Sequence, residues 1–280
     1  MTTHEDPNLH PVLDHGFVRL VDTMGDDSAI VQAARVSYQK GTKTVQDDEG
    51  LIRYLMRNWH TTPFEMCEIA LHVKAPIFIA RQWLRHRTAS PNEMSGRYSV
   101  MPSECYVPSA DQIRPQSKSN KQGRGDGEIR GSMHKERAAF ELEAVAAHDE
   151  YQRRLDTGMA RELARINLPL SQYTEFYWKI DLHNLFHFLR LRLHPHAQYE
   201  IRVYAEAIAD IVRPWVPMAW RAFEDYRLKS ISLSRAEKNI LATCIDKDRA
   251  LILLDVMVES GEMGKREARE FRAKLLKGGG

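Results

Sequence analysis

Two stretches of the chain alternate apolar and polar side chains, the pattern of half-buried strands. They are residues 67–74, CEIALHVK, and the aromatic-rich residues 173–180, YTEFYWKI. Further strands are predicted over Phe17–Val21 and Arg97–Met101. Between these elements, Arg87–Gly96 is rich in serine, asparagine, proline and glycine, which predicts a loop.

Apolar residues at helical spacing predict helices in much of the remaining chain. Asp181 is a suitable N-cap for one of them, and Gly158 and Pro195 mark places where helices end. The predicted helices cover residues 26–38, 48–59, 77–86, 138–155, 160–166, 182–193 and the stretch after Pro195 to 212. Residues 217–280 predict two or three more amphipathic helices. Strands interrupted by helices without regular βαβ alternation predict an α+β fold, a mixed sheet with surrounding helices.

Two segments fall outside this periodic pattern. Residues 1–15 are polar and contain two prolines, so we expect a loose N-terminal arm. Residues 110–137 are polar, net basic and glycine-bearing, and they lack apolar periodicity. That composition indicates a mobile surface loop or an insertion.

Composition limits the classes of function that the chain can have. Over 280 residues the net charge is only +2, so any anion-binding role depends on local clustering of arginines. Three widely spaced cysteines, Cys67, Cys105 and Cys244, form no CxxC pair and fit a reducing compartment. The sequence starts without a secretory signal and has no apolar run of the roughly 20 residues that span a bilayer. We therefore expect a cytoplasmic protein.

The run Arg85–Tyr98, RHRTASPNEMSGRY, concentrates polar chemistry at a predicted helix end. Its arginines offer planar forks of donors that match phosphate oxygens, and its serines and loop N–H groups add further donors. Gly96 allows close approach of the backbone to a ligand, and Glu93 is suited to accept from a ribose hydroxyl. The alternative is a solvated loop. Because Arg81 and Gln82 lie one turn upstream, a nucleotide-phosphate site explains the basic density better.

Two further basic sets are weaker signals. Arg161 and Arg165 are four residues apart and share a helix face, yet a solvated face is the better explanation of an isolated pair of this kind. Arg190 and Arg192 are two apart on a predicted helix and point to different sides, so at most one faces a given pocket.

Three other functions are open to the same residues. His183 and His187 have the helical spacing of zinc ligands, but Asn184 stands where a metalloprotease has its glutamate, and we expect no metal. Residues 110–137 could bind nucleic acid, although the near-neutral chain carries no groove-reading motif, so we expect no nucleic-acid partner. No GxGxxG follows a strand, so a Rossmann-type dinucleotide site is not predicted.

The run Arg85–Tyr98 resembles, without a gap, the R-H-R-x-x-S-x-N-x-x-S-x-R-Y signature of the flavin-dependent thymidylate synthases. Four more segments resemble this family in the expected order: 33–37, 60–65, 160–178 and 183–202. The resemblance covers residues 17–225 and leaves the loop 110–137 and the tail unexplained. It implies an N-terminal arm over 1–16, a synthase domain over 17–225 with the basic insertion 110–137, and a C-terminal helical extension over 226–280.

The resemblance also implies an activity. Members of the family are flavoprotein methyltransferases that convert dUMP to dTMP, with methylenetetrahydrofolate as carbon donor and NADPH as hydride source through FAD. They assemble as homotetramers whose active sites lie between subunits. Another nucleotide-binding flavoenzyme, or a nucleic-acid-binding protein using the basic loop, is the alternative.

The family's site residues carry over to matching positions of this chain. Arg192 is the implied catalytic arginine, close to the uracil edge. The implied dUMP-binding residues are Gln82, Trp83, Leu84, Arg85, Glu93, Met94, Ser95, Gly96, Arg97, Arg165 and Arg192. The implied FAD-binding residues are Ser37, His60, Thr62, Arg85, His86, Arg87, Thr88, Glu93, Asp181, Leu182, His183 and His187. The family often has asparagine where this chain has Asp181 and His187.

Overall fold

The computed structural model of the chain describes residues 6–36, 45–119 and 121–276. These residues belong to two units. The first comprises the chain up to Ala34 together with Thr61–Pro217, and the second comprises Arg35–His60 together with the chain from Met218 onward. The division of the sequence at residues 16 and 225 stays a prediction.

Within the described residues the first unit contains one five-stranded sheet with the strand order β1-β2-β3-β5-β4. The strands are β1 Leu9–Val12, β2 Gly16–Met24, β3 Glu68–Pro76, β4 Ser90–Glu93 and β5 Tyr173–Asp181. Each neighbouring pair is antiparallel, so the predicted α+β class is confirmed but the expectation of a mixed sheet is wrong. β3 begins at the end of the sheet where β2 finishes, so that Met24, the last residue of β2, pairs with Glu68, the first residue of β3.

The two strands predicted from alternation form the centre of this sheet. Along β3, Ile69, Leu71 and Val73 are fully buried while their neighbours are half-buried. In β5, Trp178 and its alternate neighbours are buried in the same way. Nine residue pairs join β3 to β5, from Glu68 opposite Asp181 to Pro76 opposite Tyr173. The alternation therefore defines one apolar face.

Three predictions were wrong: the loose arm over residues 1–15, the loop over Arg87–Gly96 and the strand over Arg97–Met101. Part of the predicted arm forms β1, which pairs with β2. Part of the predicted loop forms β4, whose four residues are all exposed and pair with β5 through backbone groups, so they carry no apolar pattern. No strand forms over Arg97–Met101 in the structure, because the N–H groups of Tyr98 and Ser99 donate to the Ser95 carbonyl and turn the chain.

The helices of the first unit follow the predicted periodicity with shifted ends. They are α1 Asp27–Arg35, α3 Ile77–Trp83, α4 Met133–Asp156, α5 Arg161–Ala164, α6 Leu182–Arg192 and α7 Tyr199–Trp215. The predicted end of α1 at Tyr38 lies outside the described residues. Helix α4 begins inside the predicted loop 110–137, where the Ser132 side chain accepts from the Lys135 N–H. It ends just before Gly158, whose φ of 81° suits a residue without a Cβ.

An aromatic cluster joins the apolar face of the sheet to α3, α6 and α7. Trp83 at the end of α3 is fully buried, with its ring centroid 5.3 Å from Trp178 and 5.5 Å from Phe176 on β5. Phe188 of α6 lies 5.0 Å from the same indole and Tyr204 of α7 lies 5.8 Å away. Offset and edge-on aromatic pairs add about 0.5–1.5 kcal/mol each beyond area burial. This cluster therefore fixes where α3 ends and how α6 lies on the sheet.

The second unit is helical. Its elements are α2 Val45–Arg57, α8 Pro217–Phe223, a π-helical turn Glu224–Leu228, α9 Arg235–Cys244, α10 Lys247–Glu259 and α11 Lys265–Leu276. Arg53 bridges Asp225 at 2.6 Å and Glu267 at 3.2 Å, and Arg57 pairs with Glu270 at 2.8 Å. The described tail thus holds four α-helices where the periodicity predicted two or three. No helix in the described parts of the chain is both long and apolar enough to cross a membrane.

Gly16 at the start of β2 lies in a space that excludes a side chain. A Cβ there would lie 2.7 Å from the Val12 carbonyl oxygen, 2.8 Å from that of Lys74, and against the Tyr204 hydroxyl. We expect Gly16→Ala to destabilise the fold by about 1–3 kcal/mol, the usual cost of overpacking. The measurement is the midpoint of thermal unfolding.

The matched control is Gly50→Ala in α2, where an added Cβ meets nothing within 4 Å. Alanine is the better helix former, so this variant should be as stable as the parent or more so. A Gly16→Ala protein that unfolds at the parent's temperature would contradict the packing argument.

Candidate active site

The last turn of α3 places the first residues of the site. Trp83 points into the core, so only its backbone can reach a ligand. Gln82 is half-buried beside it, and its main-chain oxygen accepts from Arg192 Nη2 at 3.4 Å. Helix α3 ends at Trp83, three residues before the predicted end at His86, and Leu84 is its C-cap. The chain therefore leaves the helix as an irregular segment at Arg85, with its side chains directed away from the core.

A cavity of about 380 Å³ lies between this segment and α6. It is lined by Arg85, His86, Arg87, Thr88, Ile180, Asn184, His187, Leu191 and Arg192. Six of these residues were predicted site residues from separate parts of the sequence. Ile180, Asn184 and Leu191 were missed as site residues. Asn184 and Leu191 share one face of α6 with His187 at helical spacing, which is the signal that could have found them. The cavity thus brings residues 85–87, the RHR segment, together with Arg192, the predicted catalytic arginine.

His86 and Arg192 are in direct contact in this cavity. Arg192 Nε donates to His86 Nε2 at 3.1 Å, so the imidazole accepts at Nε2 and carries its proton on Nδ1. Burial, the charge of Arg192 and the neighbouring His187 together lower the pKa of His86 to about 4, with burial the largest cause. At neutral pH the ring is therefore uncharged and holds the guanidinium without repelling it.

Positive charge in the cavity is not balanced by carboxylates. Burial lowers the pKa of Arg192, and the nearby charge of Arg85 acts in the same direction. Within the described residues, the side chains of Arg85 and Arg87 make no hydrogen bond or ion pair, and Arg192 contacts only neutral groups. Arg192 is half-buried whereas Arg85 and Arg87 are exposed, and like charges at such close range repel unless an anion is bound. The arrangement is that of a site for an anionic ligand.

The segment that follows β4 carries the next group of predicted residues. Glu93 at the end of β4 accepts from the Thr174 hydroxyl of β5 at 2.7 Å, which fixes its carboxylate. Met94 donates its N–H to the Glu175 carbonyl and packs against a small core of Met101, Tyr151 and Ala164. From there the chain turns at Ser95.

Gly96 and Arg165 lie against one another after this turn. A Cβ at Gly96 would lie 2.7 Å from the Met101 sulfur and 3.1 Å from the Arg165 side chain, so a larger residue there would force both side chains to shift. Arg165 follows α5, is half-buried and makes no hydrogen bond or ion pair with any part of the chain that is described. Arg97 is exposed and pairs with Glu162 at 3.4 Å. The turn therefore offers a second cation without a carboxylate partner, apart in sequence from the RHR segment by β4.

The remaining predicted residues of α6 have mainly structural contacts. Asp181 is the predicted N-cap, and both its carboxylate oxygens are used by Asn184, from its N–H at 2.9 Å and from its side-chain amide at 2.7 Å. Leu182 is fully buried, and its N–H donates to the Cys67 carbonyl. His183 is half-buried on the first turn, and Thr62 begins the 3-10 turn Thr62–Met66 that packs against α6.

Two predicted FAD residues are not part of this grouping. His60 belongs to the second unit, where it is exposed and stacks on Tyr54 with centroids 5.7 Å apart. Ser37 lies outside the described residues.

The thiols of the first unit are poor nucleophiles. Burial raises the pKa of Cys67 to about 12, with the charges of Asp26 and Asp27 adding to the effect, and burial also raises the pKa of Cys105. Neither cysteine lines the cavity, and Cys244 is exposed in α9 of the second unit. Among the residues that the structure describes, no group of three or more His, Cys, Asp or Glu side chains is arranged to hold a metal ion. The site chemistry rests on arginine, histidine and amide groups.

Comparison with known proteins connects this geometry to one family. Residues 19–218 match the family model described as thymidylate synthase complementing protein. The flavin-dependent thymidylate synthase of Ruegeria pomeroyi is 54% identical over 94% of this chain and 86% of its own length. That of Wolbachia pipientis is 52% identical over 96% of this chain and 92% of its own length.

Two solved structures of a nucleotide methylase are also similar to this chain. PolB from Streptomyces cacaoi, a UMP/dUMP methylase bound with 5-Br dUMP, is 37% identical and has a TM-score of 0.68, over 78% of this chain and 99% of its own. The same enzyme bound with 5-Br UMP gives a TM-score of 0.68 at 35% identity, over 79% of this chain and 99% of its own.

We expect the His86 ring to stay neutral from pH 7 down to about pH 5, because its pKa in the folded protein is about 4. An unfolded chain takes up this proton near 6.5, so the unfolded state binds more protons between these values. The free energy of unfolding should therefore decrease as the pH falls from about 6.5 to about 4. Ring signals of histidine-labelled protein in an NMR titration measure the pKa, and His86→Gln assigns the signal. A midpoint near 6.5 would contradict the proposed contact with Arg192.

Proposed function

The chain belongs to the family of flavin-dependent thymidylate synthases, and we propose that it converts dUMP to dTMP by reductive methylation, with methylenetetrahydrofolate as carbon donor and NADPH as hydride source through FAD. Its identification from residues 85–98 is confirmed by the family match. The observation that carries the proposal is the set of half-buried or cavity-lining arginines without carboxylate partners among the described residues. Two phosphate-bearing molecules, a nucleotide and a dinucleotide cofactor, require such a set.

The residues of the cavity fit FAD by their chemistry. Arg85 and Arg87 have no carboxylate partner in the described chain and suit the cofactor's phosphates, and Thr88, Asn184 and His187 add a hydroxyl, an amide and an imidazole. When bound, reduced FAD would supply the hydride for the reaction. Because both oxygens of Asp181 are occupied by Asn184, we propose that Asp181 and Leu182 contribute backbone or positioning contacts.

The turn after β4 fits the phosphate of dUMP. Arg165 would give a charge-assisted pair, and Ser95, Gly96 and Arg97 would add hydroxyl, backbone and guanidinium donors. Gly96 allows the backbone to come within reach of the same anion that Arg165 binds. Glu93 is held by Thr174 and is suited to accept from a sugar hydroxyl.

Arg192 is the proposed catalytic residue. Its Nε–H is used by His86 and its Nη2 by the Gln82 carbonyl, which fixes the plane of the guanidinium. Its Nη1 makes no hydrogen bond to any described residue and is available for the edge of the uracil ring. A fixed cation there stabilises negative charge on the ring edge and raises electron density at C5, the carbon that is methylated. The high pKa values of Cys67 and Cys105 fit a route without a protein thiol adduct.

Several finer features are part of the same proposal. We propose that the protein is a cytoplasmic homotetramer with sites between subunits, and that His60, Thr62 and Ser37 contribute to the FAD site in that assembly. The synthase domain would cover residues 17–225 and the C-terminal extension 226–280. A role of residues 110–137 in nucleic-acid binding is disfavoured, because Arg124 of this segment is paired with the buried Glu200.

The decisive experiment is tritium release from dUMP labelled at C5, with purified protein, FAD, NADPH and methylenetetrahydrofolate, and with each omitted in turn. Release together with dTMP formation that requires NADPH and flavin would support the proposal. UMP is the comparison substrate, since the solved relative PolB is described as a UMP/dUMP methylase. No release in the complete mixture, despite bound flavin and bound dUMP, would point to a different flavin reaction.

In this assay we expect Arg192→Ala to lose turnover by roughly 10²–10³-fold or more while flavin stays bound, the usual effect of removing a fixed transition-state donor. The control is Arg190→Ala, two residues earlier on α6 and outside the cavity lining. Ordinary turnover in Arg192→Ala would remove the catalytic assignment.

We expect Arg165→Ala to weaken dUMP binding by about 1.5–3 kcal/mol, or roughly 10–150-fold in Kd, because the phosphate loses a charge-assisted partner. Arg153→Ala is the control, since Arg153 is an exposed arginine paired with Glu150. Calorimetric titration of the flavin-loaded protein measures both. An unchanged Kd would place the phosphate elsewhere.

A further inference from the structure

Glu200, on the first turn of α7, is a fully buried carboxylate that the proposed reaction does not use. Only 1% of the residue's surface is exposed. Its Oε1 accepts from the Tyr106 hydroxyl at 3.1 Å and from the guanidinium of Arg124, which belongs to the insertion 110–137. Its Oε2 accepts from the side-chain amide of Gln198 at 2.9 Å. Each partner is a donor, and burial raises the pKa of Tyr106, which keeps that hydroxyl protonated.

The carboxylate determines the orientation of the Gln198 amide. An amide side chain has a donor end and an acceptor end, whereas a carboxylate only accepts. Gln198 must therefore turn its NH₂ group to Glu200 and its carbonyl oxygen the other way. That oxygen accepts from the side-chain NH₂ of Gln82, so the second amide is oriented by the first.

This chain of hydrogen bonds ends at Gln82, which the family resemblance assigns to the dUMP site. One N–H of the Gln82 amide is used by Gln198, and the Gln82 side-chain oxygen accepts no hydrogen bond from any residue that the structure describes. Gln82 also carries the main-chain oxygen that receives Arg192 Nη2. The relay from Glu200 thus determines which end of the Gln82 side-chain amide is the acceptor, on a residue whose main chain contacts the proposed catalytic arginine.

We propose that Glu200 is a positioning residue that, through Gln198, turns the carbonyl oxygen of Gln82 toward the substrate and so selects a base with an N–H at ring position 3. This inference rests on the proposed function. Uracil carries a hydrogen on N3, and cytosine has an acceptor there. A fixed acceptor in the protein therefore pairs with dUMP and opposes dCMP, and an unpaired buried acceptor is costly.

The isosteric variant Glu200→Gln is expected to reverse the relay. Arg124 and Tyr106 both donate to Oε1, so the new amide places its oxygen there and its NH₂ group toward Gln198. Gln198 then turns its carbonyl to this NH₂ group and donates to Gln82. Gln82 in turn presents its own NH₂ group to the substrate, which matches the N3 acceptor of cytosine.

The test is calorimetric titration of the flavin-loaded protein with dUMP and with dCMP. For Glu200→Gln we expect dUMP to bind roughly tenfold more weakly and dCMP to bind more tightly than to the parent, the size of one hydrogen bond. The matched control is Glu206→Gln, the same substitution at an exposed position of the same helix, which should leave both affinities unchanged. An unchanged ratio of the two affinities in folded Glu200→Gln overturns the inference.

A second variant keeps the inference testable if the buried substitution impairs folding. Gln198→Leu interrupts the relay and lets the Gln82 amide rotate, so the preference for dUMP should fall without a reversal. A preference equal to the parent's overturns the relay. Absence of dUMP binding to the parent holoenzyme would instead remove the proposed function on which the inference depends.

Discussion

The burial of the Trp83 indole is the interaction on which the position of the site depends. The ring lies among Trp178 of β5, Phe188 of α6 and Tyr204 of α7. Its Nε1 is buried without a hydrogen-bond partner in the described residues, so packing and not polar pairing determines where α3 ends. Because side chains in such a core interdigitate closely, a shift of this ring would move α3 and α6 together. Gln82 immediately precedes Trp83 and Arg85 follows it by two residues, so the packing of Trp83 also restricts the backbone positions of these two residues.

With the backbone fixed in this way, the fold can hold positive charges close together. Burial lowers the pKa of Arg192, and the nearby charge of Arg85 lowers it further. His86 avoids contributing a third positive charge because its own pKa is far below neutral. The uncompensated charge is an energetic cost in the free protein that a phosphate or a developing anion removes on binding. A site preorganised in this way need not assemble its donors when the ligand arrives.

The sequence predicts those elements in which local pattern and tertiary packing agree. Apolar and polar residues alternate along β3 and β5 because one face of the sheet is buried. Asp181 caps α6 through a hydrogen bond to a residue three positions away, which the local sequence is sufficient to predict. β4 was not predicted, because all four of its residues are exposed and it pairs only through its backbone, so its sequence carries no apolar alternation. The RHR run was recognisable because its residues are contiguous. The contact between His86 and Arg192 was not, because 106 residues separate the two side chains.

The Glu200 relay depends on hydrogen bonds between residues that are far apart in the sequence, and these bonds orient a side chain of the proposed site. A row of amides alone has no preferred direction, since each can turn over and pair equally well with its neighbours. A carboxylate at one end gives the row of amides a single direction, because it can only accept. This holds only where water cannot enter and pair with amides turned the other way, so the burial of Glu200 is essential to the relay. Burying a lone negative charge is costly, and the guanidinium of Arg124 offsets the cost. The insertion 110–137, which by composition resembles a solvated loop, thereby supplies the counter-charge that lets an amide some distance away keep one orientation toward the substrate.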